Sequence, residues 1–209
     1  ELLLGSDLEA YNVSSLKDSF KMIPTARFEY DCQNCGVNKI QLLGLSTEYT
    51  SILFDGAPLF SGLAKVYGAD IFPAIFIDRM EILKGGSSVL YGPEAMAGVV
   101  NLITAEPTRS GLEATLEGSS LRGDAMEWES SVRGDYVDPR DRFSLTAYGY
   151  YRDREGLDLG SDGFTEIPEF ENRVAGLQAW WHPVEGGTLQ VNYQYMAQAH
   201  RGGDRLDLP

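Results

Sequence analysis

Residues 77–104 read IDRMEILKGGSSVLYGPEAMAGVVNLIT. The stretch continues an apolar run, 75–83 (IFIDRMEIL), that reads as a short turn leading into a strand. Arg79 and Glu81 stand two apart and so share one face of that strand, with Lys84 at its end. Lys84-Gly85-Gly86-Ser87-Ser88 is a loop by composition, 89–97 is helical or turn-like, and 99–104 (VVNLIT) is a strongly apolar strand. Gly85, Gly86 and Gly92 let the backbone turn tightly or approach another element closely.

Upstream, Ser14 and Ser15 followed by Leu16, Phe20 and Ile23 pattern as a capped short helix ending before Pro24. Residues 40–45 form a strand candidate. Residues 50–55 (TSILFD) form another, closed by the Asp55-Gly56 turn signal. Residues 1–106 therefore read as a small α+β domain.

Downstream of Pro107 the pattern changes. Apolar residues alternate with polar ones in five segments, 112–121, 126–137, 142–152, 172–181 and 188–198. Leu112, Leu116, Trp128, Val132, Leu145, Leu177, Val191 and Tyr193 mark one face; Glu113, Glu117, Glu129, Arg133, Thr146, Gln178, Asn192 and Gln194 mark the other. Segments of about 10 residues with one apolar and one wet face suit a membrane barrel wall, and a half-buried soluble antiparallel sheet has the same period. Tyr136, Tyr151, Trp180 and Trp181 suit interfacial aromatic girdles. The connections at 121–125, 137–141 and 183–187 are tight and that at 153–170 is long, the asymmetry expected of short periplasmic turns and longer outer loops. Five strands are too few to close a barrel, which takes about eight at the least, so residues 107–209 are expected to be part of a longer wall.

A formal net charge of −14 argues against nucleic-acid binding and against attachment to anionic lipid through a basic face. Its simplest meaning is a solvated acidic surface; its sharper one is attraction for cationic or metal-bearing ligands. No run approaches the roughly 18–20 apolar residues of a membrane helix, and the ELLLGSDLEAY start lacks the basic region and cleavage site of a signal peptide.

The segment 77–104 closely resembles the C-terminal signature of the plug of TonB-dependent receptors. Arg79 and Glu81 match its charges, and Gly85, Ser88, Leu90, Tyr91, Gly92, Ala95, Gly98, Asn101 and Thr104 match its frame. Leu43-Gly44-Leu45, Tyr49 and SILFDGAPL, with Asp55 and Gly56, resemble the family's upstream motif. The chain departs from the pattern at Lys84 (family Arg), Gly86 (family Pro) and Leu43 (family Arg).

The resemblance implies an α+β plug domain, 1–106, followed by antiparallel transmembrane β-barrel strands, 107–209, as a fragment of a 22-stranded plugged barrel. It implies active uptake of a scarce extracellular ligand, such as a metal chelate, siderophore or cobalamin, across a bacterial outer membrane. The partners it implies are outer-membrane lipid, the small ligand and a TonB-type energy-coupling protein; the coupling box itself is expected before Glu1. No cofactor is required, although the cargo itself is expected to carry a metal. Arg79, Glu81 and Lys84 are implied to hold the plug reversibly against the wall.

Cys32 and Cys35 fall, by this resemblance, in the first apical plug loop with Gln33 and Asn34. Export favours a short disulfide; a metal-ligating pair would need further ligands, and a redox role lacks the βαβ context. The second apical loop, 57–67, carries Phe60, Ser61, Lys65 and Tyr67 as ligand contacts by position. Asp158, Asp162, Glu166 and Glu169 in the long outer loop offer carboxylates for calcium or a cationic ligand, but without EF-hand spacing, and solvated loop charge is the plainer reading. His182 and His200 look isolated. No Ser-His-Asp set, phosphate loop or glycosidase-like carboxylate pair is legible, so no enzyme is expected. The other readings are a non-transporting plugged barrel and a periplasmic thiol–disulfide enzyme.

Overall fold

A computed structural model of the chain describes residues 2–5, 19–20, 22–32, 37–58, 76–86 and 88–203. The chain divides into two compact units, Glu1–Ala105 and Glu106–Pro209.

In the first unit, β1 (Leu2–Leu4), β4 (Thr50–Phe54), β5 (Ala57–Pro58), β6 (Arg79–Lys84) and β7 (Gly98–Ile103) form one sheet in the order β1-β6-β7-β4-β5. A hairpin of β2 (Ala26–Cys32) and β3 (Val37–Leu42) forms a second sheet. The apolar runs explain the layout. β7 lies centrally, antiparallel to β6 and parallel to β4, and β4 is buried along its whole length. Near-continuous apolar sequence is what a strand buried on both faces requires. Ile52, Leu53, Met80, Ile82, Val99, Val100 and Leu102 make the core. A one-turn helix, α1 (Ser88–Tyr91), and a 3-10 turn, Pro93–Ala95, connect β6 to β7. Ala95 packs with Leu53 and Val99.

The strand expected over 40–45 ends at Leu42, because Leu43 and Gly44 take positive φ and turn the chain. Strands β1, β2 and β5 were not anticipated. The helix expected over 14–23 lies mostly outside the described residues; Ser19 and Phe20 are helical, and Met22 is in a turn.

The second unit is a five-stranded antiparallel meander: β8 (Gly111–Leu121), β9 (Ala125–Val137), β10 (Phe143–Arg154), β11 (Glu169–Val184) and β12 (Gly187–Arg201). Its polarity is the reverse of a soluble sheet. Ser144, Thr146, Tyr148, Tyr150, Asn172 and Gln178 are buried, while Leu112 (80% exposed), Leu116 (74%), Leu177, Val191 and Tyr193 stand outward. A soluble sheet hides its apolar face; a wall with apolar residues outside belongs in lipid, with its polar face toward a lumen. From Phe143 to Tyr151, eight residue steps span roughly 27 Å. A tilt of about 40° makes that about 21 Å of depth, close to the ~25 Å apolar band of such walls.

Tyr136, Tyr151 and Trp181 stand outward, as a girdle needs, but Trp180 is only 4% exposed on the polar face. The period of two decides this: Trp180 shares its face with Gln178, and Trp181 shares the other with Leu177.

Candidate functional site

The signature residues of the first unit hold one another. Asp55 and Gly56 are the two-residue loop between β4 and β5, and both take positive φ, as a type I′ hairpin turn requires. The Gly56 N–H donates to Asn101 Oδ1 at 3.0 Å. The Thr104 N–H and hydroxyl donate to the two oxygens of the Asp55 carboxylate at 2.9 and 2.8 Å. The D-G and N-x-x-T motifs, far apart in sequence, therefore meet at one end of the β4–β7 pair. Their work is to fix a non-local parallel pairing.

Gly98 is the tightest backbone contact. A Cβ built there would overlap the Leu83 carbonyl oxygen, and its φ of 149° disfavours any other residue. Gly85 and Gly92 also take positive φ, at 90° and 85°, in the loop and just before the 3-10 turn. Tyr91 is exposed at the end of α1, and Ser88 opens it.

Arg79 Nε donates to Glu81 Oε1 at 3.0 Å and Nη1 to Asp78 Oδ2 at 3.2 Å. The bond to Glu81 holds the guanidinium above its already high ordinary pKa. All three groups are well exposed, so the pairing adds little stability. Lys84 is exposed at the end of β6. The two apical loops are another matter. Gln33, Asn34, Cys35, Phe60, Ser61, Lys65 and Tyr67 lie outside the described residues, as does the Cys32–Cys35 pairing; Cys32 is the last residue of β2.

On the polar face of the second unit, Arg152 donates to Glu127 Oε1 from Nε at 2.6 Å and lies 4.0 Å from Glu129, all three largely buried. Arg133 is held by Asp135, which also accepts from the Thr146 hydroxyl. Arg154 donates to the Pro168 carbonyl and, like Arg152, lies over the Phe170 ring. The strands thus bring opposite charges together on the lumen face.

In the long loop, oxygens of Asp158, Asp162 and Glu166 lie within 4.8 Å of one another. Each carboxylate already accepts a backbone N–H of its own loop, from Gly163, Phe164 and Leu159 respectively. Glu169 opens β11 and is not in that group. These bonds account for the acidic residues as loop-shaping groups.

A cluster that sequence reasoning missed sits at the short-turn end. Glu106 Oε1 accepts from the Ser144 hydroxyl at 2.5 Å and faces His182 Nε2 at 2.9 Å. His182 Nδ1 meets the Thr188 hydroxyl at 3.2 Å. His182 is therefore not isolated. The only local hint was Pro183, which cannot donate to the ladder and marks a bulge.

A family model, the TonB-dependent Receptor Plug Domain, matches residues 4–99. A vitamin B12 transporter of Vibrio vulnificus is 26% identical over 127 residues, 60% of this chain and 21% of that protein. Among solved structures, the ferric enterobactin receptor of Pseudomonas aeruginosa superposes with a TM-score of 0.78 at 18% identity, over 96% of this chain and 33% of that one. The siderophore receptor PirA of Acinetobacter baumannii gives 0.77 at 21% identity, over 96% and 31%. The chain thus spans about a fifth of the curated relative and about a third of the solved receptors.

Proposed function

We propose, on the premise that this chain belongs to the TonB-dependent receptors, that the whole protein is an outer-membrane transporter taking up a scarce small ligand. A TonB-type partner supplies the drive by rearranging the plug. The observation that carries the reading is a wall of inverted polarity, apolar outward and polar inward, directly following a domain that matches the plug. The relatives' cargoes are vitamin B12, ferric enterobactin and siderophores. The cargo proposed here is a metal chelate of that range, carried as substrate with no resident cofactor. Gln33, Asn34, Phe60, Ser61, Lys65 and Tyr67 are the proposed outer ligand contacts, with a Cys32–Cys35 disulfide clipping the first loop.

The test is uptake by the full-length receptor, expressed in the outer membrane of cells lacking their own receptors for the probes. Labelled cyanocobalamin and ferric siderophores of catecholate and hydroxamate type are offered with and without a protonophore. Accumulation of one probe that collapses with the protonophore is the expected result. Binding that never leads to energy-dependent accumulation would make the protein a non-transporting receptor and overturn the proposal.

A further inference from the structure

The second unit fastens its own first residue, Glu106, to its wall. Ala105 ends one unit and Glu106 begins the other, yet β8 starts only at Gly111. The carboxylate of Glu106 lies between two wall strands, bonded to Ser144 on β10 and His182 on β11. Ser144 is only 1% exposed, so its hydroxyl has little water to turn to. At the far end of the same segment, the Ser110 hydroxyl accepts from the Val137 N–H of β9 at 2.9 Å.

The wall is locally built to present His182. The ladder between β11 and β12 shifts register between Trp181 and Val184, and Pro183 lies in that irregularity. A bulge of this kind re-aims a side chain at a strand end. The His182 N–H is held by the Arg142 carbonyl at 2.9 Å, which fixes the backbone of β11 beside the β9–β10 turn. With Nε2 facing a carboxylate, that nitrogen carries the proton and donates, leaving Nδ1 to meet Thr188 at the start of β12. One carboxylate is thereby tied, directly or through His182, to three consecutive strands.

We propose that Glu106 is a tether point: it transfers to β10 and β11 any pull that arrives along the chain from the first unit, and so spares β8. The inference rests on the transport reading, in which the plug is moved under load. β10 and β11 are each paired on both sides, so the two strands that receive Glu106 are held by neighbouring ladders. A load delivered at Gly111 would act on β8 directly. Delivered at Glu106, it meets two charge-assisted bonds first. Ser144 and His182 act here as positioning residues for Glu106.

Single-molecule unfolding of the full-length receptor in a lipid bilayer, pulled from its N-terminal end, tests this. In the unsubstituted protein the chain becomes taut at Glu106. In Glu106→Ala it becomes taut at Ser110 or Gly111, so the final event of the plug lengthens by roughly 14–18 Å, four to five residues at about 3.6 Å each. Glu106→Gln restores the original length, because its amide oxygen still accepts from both partners. Equal lengths in the unsubstituted protein and Glu106→Ala overturn the proposal. Should Glu106→Ala not insert, Ser144→Ala and His182→Ala each remove one bond and lower the rupture force at the Glu106 position; an unchanged force in both overturns it equally. The readout needs no cargo and no energy source. A receptor with the length shift but without energised uptake refutes the transport reading alone, and a transporting receptor without the shift refutes the tether alone.

Discussion

Asp55 holds Thr104 twice, one carboxylate oxygen to the backbone N–H and the other to the hydroxyl, across 49 residues of sequence. Asp55 also donates its own N–H to the Leu102 carbonyl at 2.9 Å. A parallel pair such as β4–β7 cannot be closed by a hairpin, and its strands must find each other across a long connection. A side chain bonding the far strand's end at two points sets the register that the turn cannot.

Thr104→Val is nearly isosteric and removes only the hydroxyl bond. A hydrogen bond to a charged group contributes about 1.5–3 kcal/mol, and Thr104 is buried. The expected loss of plug stability is about 2 kcal/mol. Asp55→Ala, which removes both bonds, should cost more. The two changes should be clearly non-additive when combined, since the second deletes what the first has already broken. Chemical denaturation of the receptor, followed through a plug-located probe, measures all three. Additive losses would mean that the two residues do not act together.

Gly98→Ala sets backbone against side chain. The new Cβ would meet the Leu83 carbonyl oxygen, which belongs to the β6–β7 ladder and cannot yield without breaking it. Strained backbone costs about 1–3 kcal/mol by itself, and the overlap adds to that. The expected loss exceeds about 3 kcal/mol, read as a collapse in the yield of folded receptor. Gly85→Ala, at positive φ but with open space around it, should lose only the strain and remain foldable.

Leu177 and Asn192 occupy opposite faces of the neighbouring strands β11 and β12. An arginine placed mid-wall on the lipid face costs about 2–4 kcal/mol, while a lumen position tolerates it. Leu177→Arg is therefore expected to destabilise by that amount and Asn192→Arg by less than about 1 kcal/mol, measured by unfolding from lipid vesicles. The reverse order would mean that the outward apolar face of Leu112, Leu116, Leu177 and Val191 is not a lipid face.

The long strands were legible because their alternation is local: β8, β9, β10 and β12 begin and end within about three residues of the segments read from Leu112, Met126, Arg142 and Thr188. The orientation of the wall was not legible from periodicity alone, since either face could have been the wet one; the exposure of Leu112 and Tyr193 decides it. Of the β2–β3 hairpin, only the end of β3 falls within the strand read over 40–45; β2 is not read from sequence, although Arg27, Glu29 and Asp31 alternate with Ala26, Phe28 and Tyr30. Contacts between distant residues left no trace in any window. Glu106 and His182 lie 76 residues apart, and neither carries a motif. The D-G and N-x-x-T motifs were found by resemblance, but that they bind each other is visible only in the fold.

The Arg152 guanidinium lies between Glu127 and Glu129 on the lumen face. The side chains of all three are less than a fifth exposed, so water screens them weakly. Removing one partner of a buried ion pair costs about 3–5 kcal/mol, mostly because the remaining charge is left uncompensated. Arg152→Met leaves two carboxylates on adjacent positions of one strand face, and it should fall in that range. Glu127→Gln with Glu129→Gln in the same chain removes the orphaned charges and should recover most of the loss, with no guanidinium needed. Unfolding of the single and triple variants in detergent separates charge from packing. If the triple variant is as unstable as Arg152→Met, the arginine is holding the wall by its stem and its contact with Phe170 rather than by its charge.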